Sequence, residues 1–364
     1  MRKRIIWLCA APAALAPASA EVVSFQEKDG LARASLMIDG KPYALDLRLM
    51  RPGTSAPNAA LLVDAAPDDG LAAFAVARGM TVAAVDLQKL PAPARATALT
   101  DLSPRLRVAA GAKRLLGRGR GESGAALAAA AAFDGLLLQD APEAAKTRRV
   151  IETWGADAYW RAPPRPATDP ETETRRSYFL AGTAEAATAA NCAAPVSERS
   201  GAPALRALLV VLDDWTKGVK PPASRVPAEA DLVAAETLRW PKTPGWPSPP
   251  PGERKVPRID ADGNETSGLR LPDQALPIAT FTGFNARKDS KGPPCAAGAA
   301  IPFSPTKAER EKSGDPRLSL TERYGSRAYF VATMRVVADK LVRERLLLKE
   351  DADAYVAAAR QAPF

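Results

Sequence analysis

Residues 113–140, KRLLGRGRGESGAALAAAAAFDGLLLQD, decide the fold. They predict a strand over 114–117, a glycine-rich turn, an alanine-rich helix over 125–133 and a buried strand over 135–139. Upstream, residues 60–65 and 81–87 predict two more buried strands on either side of a helix over 70–78. Alternating strands and helices are typical of a parallel sheet covered on both faces, so the sequence predicts an α/β fold.

The flanking sequence extends this pattern in both directions. Residues 34–38 and 43–50 surround Asp39-Gly40 and predict a tight N-terminal β-hairpin. Beyond the central stretch, residues 150–153 and 177–181 predict two further strands, and residues 203–217 predict a helix.

The composition changes after residue 218. Ten prolines between residues 218 and 257 exclude a long helix or a central strand, so this segment is predicted to be an extended arm. We expect Trp240 and Trp246 to pack the arm onto the core. A capping box at Ser319 and Glu322 and apolar residues at helical spacing predict a helical C-terminus up to residue 359. We therefore divide the chain into residues 1–20, a core over 21–218 and an extension over 219–364.

The composition excludes several kinds of active site. The chain has 364 residues, of which 46% are hydrophobic, and no histidine. Without imidazole there is no Ser-His-Asp triad and no Cys-His dyad, so proton transfer near neutral pH would need a perturbed carboxyl, lysine or cysteine. We predict no cofactor and no metal site. Residues 260–264 resemble a calcium-binding loop, but their glycine comes too early, and we expect a turn there.

The N-terminus predicts export. Residues 2–4 are basic, residues 5–15 form a short apolar core, and Ala18-Ser19-Ala20 is typical of a cleavage site. We expect a signal peptide that is cleaved after Ala20, and a periplasmic or secreted protein without a membrane span. Export would leave Cys192 and Cys295 in a compartment that favours disulfides, so we expect them to pair, with two free thiols as the alternative.

The glycine-rich turn fits three interpretations. Gly119, Gly121 and Gly124 satisfy the dinucleotide-binding pattern, with Asp140 about twenty residues further on. The same glycines fit a nucleophile elbow, in which Ser123 would stand over a helix N-terminus that stabilises an oxyanion. A tight turn without any ligand is the third interpretation. The local sequence does not separate them.

Three C-terminal motifs connect the sequence to a known family. They are WTKGVKPPASRVP (215–227), VPRIDADGNETSGLRLPDQALPIATFTGFN (256–285) and GDPRLSLTERYG (314–325). With them, the chain resembles the α/β-hydrolase-domain family of exported bacterial proteins, which is esterase-like and distantly similar to tannases and feruloyl esterases. The resemblance implies an α/β-hydrolase-like, mostly parallel sheet and a site for ester hydrolysis at the glycine-rich turn.

The resemblance also assigns the nucleophile position. The family elbow, roughly G-x-G-x-S-Q-S-G-R, aligns with residues 117–125 without a gap. The nucleophilic serine then falls on Gly121, and Ser123 matches the second serine, which is not the nucleophile.

The other two catalytic positions are substituted as well. The family histidine follows a strand in A-G-T-Q-H, and here residues 181–184 lead into Glu185. The family acid precedes Tyr-Trp, a position that corresponds to Ala158, with Asp157 one residue earlier. The resemblance therefore implies a degraded catalytic triad.

These observations predict an exported, catalytically impaired esterase-like protein that binds a ligand or partner. The alternative is an active carboxylic-ester hydrolase with a site rebuilt from Ser123, with Glu185 or Asp157 as base, and the third hypothesis is a nucleotide-binding module. The resemblance implies a small ester-like ligand. Six basic residues and no acid occur between Asp101 and Glu122, a run that fits an anionic ligand at the elbow, but a solvated basic face is the interpretation that we favour. No aromatic residue interleaves that run, which argues against nucleic acid.

Overall fold

A nine-stranded sheet forms the centre of the protein. The computed structural model describes residues 19–53, 56–66, 70–141, 148–160, 171–184, 191–243, 254–289, 295 and 297–364. The strands of the sheet are β1 (Ala20–Lys28), β2 (Leu31–Ile38), β3 (Lys41–Met50), β4 (Ala60–Ala65), β5 (Thr81–Val85), β6 (Arg114–Arg120), β7 (Gly135–Gln139), β8 (Arg149–Gly155) and β9 (Arg175–Leu180). Their spatial order is β1-β2-β3-β5-β4-β6-β7-β8-β9. Strands β4 to β9 run parallel, and β1 to β3 join them antiparallel. The predicted mostly parallel sheet is confirmed.

Helices cover both faces of this sheet because successive strand residues point to opposite sides. They are α1 (Leu71–Ala77), α2 (Arg95–Ala110), α3 (Gly121–Ala129) and α4 (Ala202–Thr216). Leu136 and Leu138 of β7 pack in one apolar cluster with α2 and α3, whereas Leu137 packs in the other with α1 and α4. Each buried strand is therefore apolar on both sides, as a sheet with two helical layers requires.

The predicted N-terminal hairpin is present as β2 and β3. Both residues of its turn have positive φ, 47° at Asp39 and 75° at Gly40, as the tightest two-residue hairpin turns require. A second turn of the same kind, Asp29-Gly30 with φ values of 53° and 78°, joins β1 to β2. The structure thus has one N-terminal strand more than the sequence analysis predicted.

Two helices differ from expectation. Helix α3 begins at Gly121, directly after β6, and not at residue 125. The sequence analysis made no prediction for helix α2, whose interior contains Pro104, although prolines usually end helices. Its buried face, which includes Leu99, Leu102 and Leu106, packs on the sheet and offsets the proline's cost of about 3 kcal/mol.

Helix α4 runs antiparallel to the strands. Gly201, just before the helix, lies against Leu180 at the end of β9, and Leu212 lies against Gly135 at the start of β7. The loop that leads into α4 therefore lies at the edge of the sheet where the parallel strands end, which is also the edge where α3 begins.

The C-terminal segment packs on this core. Its elements are β10 (Leu232–Ala234), β11 (Lys255–Pro257), α5 (Pro272–Ala275), β12 (Ala279–Thr282), β13 (Ala299–Pro302), α6 (Lys307–Ser313), α7 (Leu320–Tyr324), α8 (Arg327–Arg343) and α9 (Lys349–Ala359). Strands β10 and β11 form one antiparallel ribbon and β12 and β13 another. Ala338 and Leu341 of α8 share an apolar cluster with α4. The proline-rich segment has no long element among its described residues; Trp240 packs on Trp160, and Trp246 lies outside those residues.

The expected disulfide is present between Cys192 and Cys295, whose Cα atoms are 5.6 Å apart. It connects the segment before α4 to the segment before β13. Within the described ranges, none of the helices is long and apolar enough to cross a lipid bilayer.

Candidate functional site

The turn between β6 and α3 has the close strand-to-helix packing of an elbow. A Cβ on Gly119 would lie 2.7 Å from the backbone nitrogen of Gly124, and a Cβ on Gly124 would lie 2.8 Å from Cβ of Ala141. No larger side chain fits at these two positions unless the backbone moves. The lack of a side chain at Gly119 and Gly124 therefore allows the strand and the helix to pack closely, independently of any ligand at the turn.

Gly121, the first residue of α3, is in a different situation. It has φ 51°, and nothing lies within 4 Å of the position that a Cβ would occupy. A side chain here would project from the turn into open space, where an elbow presents its nucleophile. This position, to which the family resemblance assigns the nucleophile, carries no functional group.

Ser123 lies in the first turn of the helix, and its hydroxyl is engaged with the backbone. Its Oγ donates to the carbonyl oxygen of Arg120 at 2.9 Å and accepts from the backbone nitrogen of Arg120 at 3.2 Å. The hydroxyl therefore helps to close the first turn of α3, and its proton is directed toward a carbonyl oxygen rather than toward a base.

We expect Ser123→Ala to lower the free energy of unfolding by about 1 kcal/mol, because the backbone of Arg120 loses both hydrogen bonds. Urea denaturation followed by circular dichroism measures this change. Ser24→Ala, at a partly exposed position of β1, is the matched control and should stay within about 0.5 kcal/mol of the unsubstituted protein. Equal stability of the two variants would contradict the capping role of Ser123.

The position assigned to the acid lies directly after β8. The chain there forms a short 3-10 turn, Ala156–Tyr159, in which Asp157 and Ala158 are both buried, with 2% and 6% of their surface exposed. The backbone nitrogen of Ala156 donates to the carbonyl oxygen of Thr183 at 2.8 Å. The segments that follow β8 and β9 are therefore joined directly.

The position assigned to the histidine follows β9. Gly182 has φ 67°, and its backbone nitrogen donates to Oε2 of Glu265 at 2.8 Å. Residues 181–184 are described, whereas Glu185 lies outside the described residues. The three segments that the resemblance assigns to the triad thus follow β6, β8 and β9 in that order, at the edge where parallel strands end, and this is the chain order nucleophile, acid, histidine of α/β-hydrolases.

Sequence reasoning did not single out Glu265. Burial raises the pKa of its carboxyl to about 7, although the backbone N–H groups of Gly182 and Gly283 hydrogen-bond it and act in the opposite direction. Gly283 packs so closely on the acid segment that a Cβ on it would lie 2.1 Å from the carbonyl carbon of Ala156. One carboxyl therefore links the segment after β9 to the ribbon that supports the segment after β8. The motif around it, NETSG, was the one sequence feature that could have drawn attention to Glu265.

A buried ion pair lies beneath the elbow. Arg118 of β6 is fully buried, and its Nη1 donates to the carboxylate oxygens of Asp64 at 3.3 and 3.1 Å. Its Nε and Nη2 donate to Oε1 of Gln139 at 3.2 and 3.1 Å. These bonds join three neighbouring strands, β4, β6 and β7, within two residues of the end of each strand.

Most of the predicted basic run is neutralised. At least four of its six members form ion pairs with described residues: Arg105 with Asp101, Arg107 with Asp134, Arg114 with Asp213, and Arg118 with Asp64. Three of the four carboxylates come from distant parts of the chain, which the local sequence did not reveal. Much of the positive charge that would have attracted an anionic ligand is therefore balanced within the fold.

The segment that resembled a calcium loop is a turn. Oδ1 of Asp260 accepts from the backbone nitrogens of Asp262 and Asn264 at 3.0 and 2.9 Å. Asp262 itself pairs with Arg323 at 2.8 Å. Both carboxylates have partners that hold the loop, as the turn interpretation expects.

A parallel sheet covered on both faces, with a close glycine turn between β6 and α3, defines an α/β-hydrolase scaffold. The family described as "alpha/beta hydrolase domain" matches residues 142–357, more than half of the chain, and the chain belongs to this family. The match begins after the elbow, so it covers the segments after β8 and β9 but not Gly121.

Several solved structures are similar to part of this chain. A serine hydrolase without a lid from Xanthomonas campestris is 14% identical, with 42% of this chain and 84% of that chain covered and a TM-score of 0.32. A cold-adapted esterase from an Arctic intertidal metagenomic library is 13% identical, with 43% and 86% covered and a TM-score of 0.31. No curated protein sequence matches the chain significantly.

Proposed function

We propose that the protein is an exported, catalytically impaired member of the α/β-hydrolase family that uses its scaffold to bind a ligand or partner. The observation that carries the proposal is Gly121 at the first residue of α3, with open space where a nucleophile's side chain would stand. The absence of histidine from the sequence supports it independently.

The chemistry explains why these two losses matter together. Ester hydrolysis by this fold needs a hydroxyl at the elbow and an imidazole that takes its proton. Without both groups, neither the covalent step nor the proton transfer takes place. Oxyanion stabilisation and binding would then accelerate ester hydrolysis by at most about 10³ to 10⁴ over water. Ser123 does not replace the nucleophile in this proposal, because its hydroxyl bonds the backbone of Arg120.

Export and the division of the chain belong to the same proposal. The signal peptide over residues 1–20 is a sequence prediction, and the disulfide between Cys192 and Cys295 is compatible with an extracytoplasmic protein. We assign residues 21–218 to the hydrolase-like core and residues 219–364 to an extension, whose helix α8 packs with α4 of the core.

Labelling with a fluorophosphonate probe tests the proposal. The probe modifies activated serines, so we expect no covalent label on the purified chain under conditions that fully modify a histidine-containing esterase. Ser123→Ala is the matched variant, and the chain with and without this substitution should hydrolyse p-nitrophenyl acetate at the same rate.

Two outcomes would contradict the proposal. Label that peptide mapping places on Ser123, and that Ser123→Ala removes, would establish a rebuilt hydrolase site. Label on any other serine, together with ester hydrolysis above the buffer rate, would establish a nucleophile that the family alignment misses. The melting temperature of each preparation, measured in parallel, shows that the labelled protein is folded.

A further inference from the structure

The peptide bond at which the sequence predicts signal-peptide cleavage lies at the beginning of a strand. Cleavage after Ala20 would break the bond between Ala20 and Glu21, and β1 begins at Ala20. In the sheet, Ala20 pairs with Ile38 and Glu21 pairs with Met37, both of which belong to β2. The bond that a signal peptidase must reach is therefore part of a paired strand.

The two residues before this bond are also held by the fold. The backbone nitrogen of Ser19 donates to Oδ1 of Asp39 at 3.2 Å, and the carbonyl oxygen of Ser19 accepts from the backbone nitrogen of Asp39 at 3.2 Å. Ala20 is half-buried and packs against the apolar cluster that the sheet shares with α2. The small side chain that defines the cleavage motif is thus in contact with the core.

Helix α2 closes the other side of β1 directly after the bond. Strand β1 is at the edge of the sheet, so only the side that faces β2 is paired within the sheet. On the opposite side, the backbone nitrogen of Val22 donates to Oδ2 of Asp101 at 2.6 Å, and the carbonyl oxygen of Val22 accepts from Nη2 of Arg105 at 2.9 Å. Val22 itself is 2% exposed. We call these two hydrogen bonds the α2 clamp.

We propose that the folded chain protects its own signal-peptide cleavage site, so that cleavage after Ala20 has to precede the pairing of β1 with β2. Proteases cut folded proteins at exposed, loosely held segments, because they need access to a free backbone. A protected bond is cut only in molecules that have opened locally, and the cleavage rate falls with the fraction of such molecules. The chain would therefore have to meet the signal peptidase before it folds.

This inference rests on the export that is part of the proposed function, and it is independent of the catalytic impairment. The residues that protect the bond belong to β1, β2, the turn after β2 and α2, and none of them belongs to the elbow or to the segments after β8 and β9. A serine labelled by the fluorophosphonate probe would therefore leave this inference in place.

Cleavage of the folded full-length chain by a purified bacterial signal peptidase in nonionic detergent tests the inference. A synthetic peptide of residues 1–30 contains the same bond without the fold and is the reference. We expect the folded chain to be cleaved after Ala20 at least about 30-fold more slowly than the peptide, because opening must break both bonds of the α2 clamp. Mass spectrometry of the products identifies the bond that is cut.

A variant of the α2 clamp connects the resistance to the structure. Asp101→Ala with Arg105→Ala leaves the cleavage motif unchanged and should raise the cleavage rate of the folded chain about 5- to 30-fold, the effect of one to two hydrogen bonds. Arg33→Ala with Asp46→Ala, which removes an exposed ion pair between β2 and β3, is the matched control and should change the rate less than about 2-fold. Circular dichroism and thermal melting show that each chain is folded.

Three results would overturn the inference, and they distinguish it from the export proposal. A peptide that is not cleaved after Ala20 would refute the predicted signal peptide and this inference with it. Equal cleavage of the folded chain and the peptide would refute the protection alone and leave export in place. A folded clamp variant that is as resistant as the unsubstituted chain would show that α2 does not hold the site. The comparison with the peptide needs no variant, so it stands even if the clamp variant does not fold.

Discussion

Arg317→Met will lower the free energy of unfolding by about 3 to 5 kcal/mol, the cost of removing one partner from a buried ion pair. The side chain of Arg317 is 1% exposed and that of Asp315 is 7% exposed. Nε and Nη2 of Arg317 donate to the two oxygens of Asp315 at 3.0 and 2.6 Å. The variant would leave that carboxylate buried without its counter-charge.

The same guanidinium also holds the β12–β13 ribbon. Nη1 donates to Oγ1 of Thr280 at 2.8 Å and to the carbonyl oxygen of Ile301 at 2.9 Å, and Nη2 donates to the carbonyl oxygen of Pro302 at 3.0 Å. All five N–H groups of Arg317 therefore have acceptors, and no apolar side chain can satisfy the ribbon's oxygens. Urea denaturation monitored by tryptophan fluorescence measures the loss.

Arg33→Met is the matched control for this substitution. Arg33 also forms a salt bridge, with Asp46 at 2.6 Å, but its side chain is 68% exposed, so we expect a change below about 1 kcal/mol. The double variant Arg317→Met with Asp315→Leu should recover part of the loss, because it removes the uncompensated carboxylate. A loss at Arg317 no larger than at Arg33 would refute the structural role of this ion network.

Glu265→Gln will remove a pH dependence from the stability of the protein. The pKa of Glu265 is near the usual 4.5 of a glutamate in the unfolded chain and about 7 in the folded protein, because burial disfavours the carboxylate. As pH rises from about 4.5 to 7, the unfolded chain releases this proton while the folded protein keeps it. The folded state therefore loses about 3 kcal/mol of relative stability over that interval.

Urea midpoints at pH 5, 6, 7 and 8 measure this effect as the difference between the two proteins. The unsubstituted chain should lose stability from pH 5 to pH 8 relative to Glu265→Gln, and the difference should stop growing above about pH 7. Glu236→Gln, at an exposed position of the arm, is the control and should follow the unsubstituted chain. Parallel curves for all three proteins would show that Glu265 is ionised at its ordinary pKa in the fold.

The strands of the sheet were predictable because the sequence features that mark them lie within each strand and its flanking turns. The runs of β4, β5 and β7 are short, apolar and bounded by turn residues, and the Asp39-Gly40 turn has the two positive φ angles that this dipeptide predicts. Strand β1 was missed although Asp29-Gly30 carries the same signal. Helix α2 lies in a stretch for which the sequence analysis made no prediction. Its interior proline disfavours a helix, and its packing on the sheet outweighs that cost.

The buried charged groups could not be predicted because their partners are remote. Glu265 bonds Gly182, 83 residues earlier, and Arg317 bonds Thr280, 37 residues earlier. Both residues belong to motifs that carried the family resemblance, but their burial depends on how distant segments meet. The glycine turn was recognised locally, whereas the distinct roles of Gly119 and Gly121 required the contacts of each position.

The disulfide makes a covalent ring of a large part of the molecule. Cys192 and Cys295 are 103 residues apart, so the ring contains α4, the proline-rich arm and strands β10 to β12. A protease that cuts one peptide bond inside this ring produces two polypeptides that stay linked through the sulfur atoms. In the oxidising environment proposed for this protein, such a nicked molecule would remain one covalent species, heavier than the intact chain by the water of hydrolysis. Its two pieces would separate only after the disulfide is reduced and the protein unfolds.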